Sequence, residues 1–193
     1  MQIGVVGLQG AVSEHIDMLG RIGTRGVWVR DKGALKKISG LIIPGGESTT
    51  ISRLLMQSGM FDRIREMGEE GFPIFGTCAG LILLAKKGDG DVKKSGQKLL
   101  GLMNMEVRRN AFGRQRESFE EDIKIRGIGR FPCVFIRAPA IVKVGGKCKP
   151  LAAYKRFIVA ARQDNLFATA FHPELTQDTR VHRYFLEFAE GKG

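Results

Sequence analysis

The chain is predicted to fold as an α/β protein: a mostly parallel sheet with helices on both faces and some antiparallel strands in its C-terminal half. Three observations carry this expectation. From residue 3 to residue 75, short apolar β-branched runs alternate with segments of helical spacing, the pattern that builds parallel sheets through helical crossovers. Three of the strand ends lead into glycine-rich polar loops, at residues 7–10, 44–48 and 76–80. In such sheets the ligand lies beyond the carboxyl ends of the strands, so the three loops are expected to share one site.

The elements follow in order. Residues 3–7 are an apolar strand, and residues 11–22 carry Val12, His15, Ile16 and Leu19 at helical spacing. Residues 26–30 (Gly-Val-Trp-Val-Arg) read as a second strand, residues 32–38 as a short helical patch, and residues 40–43 as a third strand ending at Pro44-Gly45-Gly46. Residues 49–57 and 60–70 are predicted helices, and residues 72–75 a fourth strand. Residues 86–98, rich in Gly, Lys and Asp, are expected to form a loop. Shorter strands are expected at 102–108, 123–125, 133–137, 141–144, 152–154, 156–161 and 168–171, antiparallel in part. Residues 180–189 close the chain as an amphipathic helix with Val181, Tyr184, Phe185 and Phe188 on one side. No internal repeat or linker composition interrupts the chain, so residues 1–193 are expected to form a single domain.

Composition narrows the function classes. No apolar run approaches the ~20 residues that span a bilayer, and the first residues lack the basic region and cleavage site of a signal peptide. Cys78, Cys133 and Cys148 are an odd set without a C-x-x-C pair, which argues for a reducing cytoplasm and against a disulfide framework or a zinc site. The formal net charge is +11, and residues 123–163 hold ten Lys or Arg with no Asp or Glu. A basic face suits nucleic acid, anionic ligands or an acidic protein partner. Without a helix-turn-helix signature or basic-aromatic interleaving, a nucleic-acid role is not expected; a solvated basic face and an acidic partner face both stay open, since charge alone does not decide.

The chemistry concentrates at Gly76-Thr77-Cys78-Ala79-Gly80, between an apolar strand and the apolar run of residues 81–85. A strand, a glycine-flanked turn and a helix start form a nucleophile elbow, here with cysteine at its apex. Side chains at either glycine would crowd so tight a turn. A cysteine nucleophile needs a base near in space, and Phe171-His172-Pro173-Glu174 supplies an imidazole and a carboxylate. In an extended segment, residues two apart face one side, so His172 and Glu174 are expected to project together. His172 would take the thiol proton and return it to a leaving nitrogen, with Glu174 holding the imidazole. His15 and His182 lie on predicted helices, where a surface or core role is expected. Oxyanion donors are expected from the Ala79 N–H and from the Gly45-Gly46 turn.

The Gly-x-Cys-x-Gly turn with a distant His-Pro-Glu resembles the class I, triad-type glutamine amidotransferases. Further blocks narrow the likeness: Gly7-Leu8-Gln9-Gly10, Pro44-Gly45-Gly46-Glu47-Ser48-Thr49-Thr50, Arg109-Asn110-Ala111-Phe112-Gly113-Arg114-Gln115, Phe135-Ile136-Arg137-Ala138-Pro139 and Phe171 through Thr176. Together these resemble the glutaminase subunits of pyridoxal 5′-phosphate synthase, from residue 7 to residue 176. The resemblance implies a three-layer αβα fold and hydrolysis of L-glutamine to glutamate and ammonia by Cys78, His172 and Glu174. It implies passage of the ammonia to a separate synthase (lyase) subunit in a hetero-oligomeric complex, with no metal or organic cofactor in this chain. It also implies glutamine-binding positions at Gly46, Glu47, Ser48, Arg109, Ile136 and Arg137, and an oxyanion hole from Gly46 and Ala79. Arg108 doubles the basic position, and Arg109 is chosen by its place before Asn110. Two other readings compete: a glutaminase serving another synthase or a cysteine hydrolase of similar architecture, and a non-catalytic nucleic-acid-binding or regulatory protein that uses the basic half. Glutamine turnover separates the last from the others.

Overall fold

A computed structural model describes residues 1–113 and 118–191 of this chain. The elements are β1 (Gln2–Val6), α1 (Val12–Arg21), β2 (Arg25–Val29), α2 (Lys32–Leu35), β3 (Gly40–Ile43), α3 (Ser48–Gln57), α4 (Met60–Glu69), β4 (Ile74–Thr77) and α5 (Ala79–Leu84). Then come β5 (Ala85–Gly88), α6 (Gly90–Lys94), β6 (Met103–Arg108), β7 (Ser118–Ile125), β8 (Gly129–Ile136), β9 (Ala140–Val144), β10 (Lys149–Tyr154), β11 (Phe157–Gln163), β12 (Leu166–Thr169), a 3-10 turn at Pro173–Leu175, and α7 (Arg180–Ala189).

The main sheet runs β2-β1-β3-β4-β12-β11-β9-β6-β5, with β10 paired to β11. The β2-β1-β3-β4-β12 half is parallel throughout, and β11 and β9 bring in the antiparallel part. Strands β3, β4 and β12 are buried at every residue, which is why they read as continuous apolar runs instead of alternating ones. Because β1, β3, β4 and β12 point the same way, their carboxyl ends bring residues 7–10, 44–47, 76–78 and 170–172 to one edge. Phe75 and Phe167 stack with centroids 4.7 Å apart, and Phe185 of α7 packs on Phe75 at 5.5 Å.

Three local expectations are corrected. Residues 86–98 are not simply a loop: β5 pairs in parallel with β6, and α6 follows it. Asp89 caps α6, its side chain accepting from the Val92 N–H, and Val92 is buried. Lys86 and Lys87 of β5 are exposed, so two-residue periodicity never appears in this stretch. Strand β7 begins at Ser118, five residues before the expected start at 123, because its outer half carries the exposed Glu120, Glu121 and Asp122. Among the described residues it pairs only with β8, as a ribbon separate from the main sheet. Finally, the segment after His172 is a 3-10 turn and not an extended strand.

Candidate active site

Cys78 stands between the end of β4 and the first residue of α5 at φ 48° and ψ −97°. That backbone region is strained for a residue with a Cβ, and such strain persists only where the surroundings enforce it. Here they do. The Cys78 N–H donates to the Thr169 carbonyl at 2.8 Å, and a Cβ on Gly80 would lie 2.1 Å from the Ile43 carbonyl oxygen. A Cβ on Gly76 would meet the Gly80 backbone at 2.5 Å. Both elbow glycines are therefore required by close backbone approach, as the sequence pattern implied. Helix α5 has only six residues, so its field at Cys78 comes from unpaired first-turn N–H groups, Ala79 among them. The thiol faces the Ile136 carbonyl at 3.9 Å.

His172 reaches the site because its own N–H is held by the Val134 carbonyl of β8 at 2.8 Å. The turn through Pro173 then folds Glu174 back, so that Glu174 Oε1 meets His172 Nδ1 at 2.7 Å. The expected pair is present, but a turn makes it. Both residues are buried, and Glu174 stands behind the imidazole, away from solvent. Burial alone would push the His172 pKa down; its hydrogen bonds to Cys78 and Glu174 and their negative charge override that and raise it to about 10. Burial likewise disfavours the charged form of Glu174, yet His15 and His172 hold its pKa below the ordinary value. Cys133 and Cys148 differ: burial first, with Asp122 added for Cys133, raises them to about 12 and about 11. Neither suits a nucleophile's role at neutral pH.

The His172 shift sets a pH expectation. Because folding raises this group above 6.5, its contribution to stability is full below about 6.5 and fades as pH rises through about 10. In an NMR titration His172 should remain protonated well above neutrality, and Cys78→Ser should lower its midpoint. An unchanged midpoint would mean that the thiol does not bear on the imidazole.

Cys78 and His172 open into a cavity of about 370 Å³ lined also by Gly46, Glu47, Ser48, Ala79, Arg109, Ile136 and Arg137. Every expected substrate-binding position therefore reaches one cavity, together with Ile82, Asn110 and Pro139, which the sequence reading did not assign to it. Arg114 and Gln115 of the Asn-x-Phe-Gly-Arg-Gln block lie outside the described residues. A larger cleft of about 450 Å³ between α3 and residues 95–98 holds no cysteine or histidine. Strain gathers around the smaller cavity: Asn110 and Arg137, like Cys78, have positive φ, at 50° and 44°.

The polar walls are held from behind. Gln9 accepts from the Glu47 N–H at 2.9 Å, and Ser48 donates to Gln97 at 2.8 Å. The Gly45 carbonyl accepts from the Ala11 N–H at 3.1 Å, where Gly10 leaves room for it. A planar trans peptide then turns the Gly46 N–H away from α1. Arg109 forms an ion pair with Glu47, and its own N–H donates to Asp89, the α6 cap, at 3.1 Å. Arg108, next to it, is exposed on β6.

The sequence reading assigned His15 and His182 a surface or core role. Both are fully buried in the core, but as polar groups behind Glu174. His15 Nε2 lies 3.5 Å from Glu174 Oε2 and 3.2 Å from Thr77 Oγ1, and its Nδ1 lies 2.9 Å from His182 Nε2. Helical spacing places a histidine on a core face but cannot say that its neighbour there is a carboxylate.

Among the described residues no helix is long and apolar enough to cross a membrane. A model of the SNO glutamine amidotransferase family matches residues 5–190. The chain is 51% identical over 196 residues to a protein of Archaeoglobus fulgidus named pyridoxal 5′-phosphate synthase subunit PdxT, covering 98% of this chain and 99% of that protein. It is 52% identical over 189 residues to the protein of the same name from Moorella thermoacetica, covering 97% and 98%. A crystal structure of a glutamine amidotransferase superposes with a TM-score of 0.92 at 48% identity, over 97% of this chain and 98% of that one. PurLQS from Thermotoga maritima, 14% identical with a TM-score of 0.67, shares the fold over 97% of each chain.

Proposed function

This chain belongs to the SNO glutamine amidotransferase family, and on that premise we propose that it hydrolyses L-glutamine to L-glutamate and ammonia as the glutaminase subunit of a pyridoxal 5′-phosphate synthase. One observation carries the reading: a cysteine on a strained elbow opens, with a carboxylate-held histidine, into a cavity lined by Glu47, Arg109 and Arg137. In this reading residues 1–193 act as one cytoplasmic glutaminase domain. The ammonia passes to a separate synthase subunit in a hetero-oligomeric complex.

The chemistry follows from the groups present. A glutamine α-ammonium and α-carboxylate are complementary to Glu47 and to an arginine, so binding would exchange the Arg109–Glu47 pair for two pairs with substrate. The raised His172 pKa favours the imidazolium, which holds the proton that the reacting thiol gives up. The sulfur adds to the side-chain amide carbon, and the oxyanion is met by the N–H groups of Ala79 and, once its peptide faces the cavity, Gly46. The His172 imidazolium gives its proton to the departing nitrogen, leaving a glutamyl thioester and ammonia. His172, now neutral, takes a proton from water as that water attacks the thioester, and glutamate leaves. Glu174 holds Nδ1 throughout, so Nε2 is the nitrogen that exchanges the proton.

Glutamate release is the test, measured with and without the synthase subunit. Wild type should turn over glutamine, faster with its partner, and Cys78→Ala should not under either condition. Turnover by Cys78→Ala, or none by wild type with its partner, would refute the reading. Substrate recognition gives a separate expectation. Arg109→Met removes a charged hydrogen-bonding group worth about 1.5–3 kcal/mol, so KM for glutamine should rise about 10–100-fold with a smaller effect on kcat. An unchanged KM would assign the carboxylate to Arg137.

A further inference from the structure

We infer that His15, backed by His182, is a positioning residue that holds the Glu174 carboxylate in the orientation the triad requires. This rests on the triad reading above and extends it to two buried side chains on α1 and α7.

The argument begins with an accounting of the buried carboxylate. Glu174 Oε1 receives His172 Nδ1, but Oε2 is sealed from solvent and has no hydrogen-bond partner at normal distance among the described residues. A buried carboxylate oxygen left alone is costly, and a free carboxylate can rotate. The ring nitrogen facing Oε2 is His15 Nε2, at 3.5 Å. Such contacts are often long in an unliganded enzyme and tighten when substrate binds. The groups around His15 come from several elements: His182 from α7, Thr77 from β4, Glu14 from its own helix, and His172 and Glu174 from the segment after β12.

Proton placement decides what His15 does. His15 Nδ1 and His182 Nε2 are 2.9 Å apart and share one hydrogen. If His15 supplied it, His15 Nε2 would turn a lone pair toward the carboxylate. His182 Nδ1, which is buried with no partner among the described residues, would then carry an orphaned N–H. If His182 Nε2 supplies it, His182 keeps only an unpaired acceptor, the cheaper defect, and His15 Nε2–H points toward Thr77 Oγ1 and Glu174 Oε2. The second arrangement satisfies the carboxylate, and burial keeps both rings neutral. A directed row of N–H groups thus runs from His182 through His15 to Glu174, and Glu174 passes its orientation to His172.

The test compares His15→Leu and His15→Gln in the complex with the synthase subunit, using glutamate release across pH. Glutamine can place an N–H near the Nε2 position; leucine fills the space without a donor. Partners that orient metal-bound histidines carry about 10–100-fold in activity, and His15→Leu should lose kcat on that scale with KM little changed. Its acid limb should move to higher pH, because an unheld Glu174 protonates more readily. His15→Gln should recover most of kcat and the wild-type limb. A packing role would instead lower thermal stability and leave the limb where it was. Nitrogen NMR of wild type provides a reading independent of activity, with His15 expected as the neutral Nε2–H tautomer. An Nδ1–H tautomer, a wild-type profile in His15→Leu, or a His15→Gln variant as impaired as His15→Leu would each overturn the inference. If His15→Leu fails to fold, the tautomer and His15→Gln decide. Inactivity of wild type with its partner would count against the triad reading, and the tautomer would still be measurable.

Discussion

His172→Asn should lower kcat for glutamine hydrolysis by about 10⁴-fold or more, with thermal stability and partner binding largely kept. The magnitude follows from the number of tasks one imidazole performs. In the proposed mechanism it takes the thiol proton, protonates the leaving nitrogen and activates the water that clears the thioester. Asparagine can retain a contact with Glu174 at the Nδ1 position but cannot carry a proton between sulfur and substrate. The double variant with Cys78→Ala should be no slower than either single change, because groups that act as one unit are not additive. Rate constants from glutamate release for the two singles and the double make the check. A double variant that loses the product of the two single effects would mean that Cys78 and His172 act independently, and no triad could then be drawn.

Gly80→Ala should be the more damaging of the two single-methyl changes at the elbow glycines. The added carbon would lie 2.1 Å from the Ile43 carbonyl oxygen and 3.0 Å from its carbon, both backbone atoms of β3. No side chain can swing away to relieve this. Either α5 lifts from β3 or the Cys78 turn opens, and both displace the sulfur. Overpacking of this kind costs about 1–3 kcal/mol, and backbone contact places this change at or above the upper figure. For a chain of this length, about 3 kcal/mol lowers Tm by roughly 6–12 °C. Gly20→Ala makes the contrasting control, since Gly20 is an exposed residue of α1 with nothing within 4 Å of the added carbon. It should stabilise the protein by about 0.5–1 kcal/mol by helix propensity. Thermal melts of both variants settle the matter; a Gly80→Ala protein melting with wild type would mean that the elbow is not closed against β3.

The parts of the fold readable from sequence are those where local pattern and tertiary environment agree. Strands β3 and β4 are apolar along their length because both faces are covered, and helices α1 and α7 show apolar stripes because one face is. Strand β5 and helix α6 escaped because each is too short to display a period; their stability comes from pairing with β6 and from the Asp89 cap. The site behaves in the same way. Cys78 was legible because the glycines required by the turn are in the adjacent sequence. His172 and Glu174 are legible as a pair from their two-residue spacing, although a 3-10 turn and not extended chain joins them.

The amino-acid order alone thus determined the sheet of alternating strands and helices, the elbow with its cysteine, and the glycine-rich loops at successive strand ends. These depend on periodicity and backbone sterics, which act over a few residues. Only the tertiary structure decided that Gly80 must be bare because Ile43 approaches it, and that Glu47 and Arg109, sixty-two residues apart, form one wall of the cavity. It also decided that His15 and His182, one hundred and sixty-seven residues apart, stand behind the same carboxylate. Such contacts arise from sheet order and the packing of helices on it, which together decide what each group is buried against. Neither sheet order nor burial is written in any short stretch of the chain.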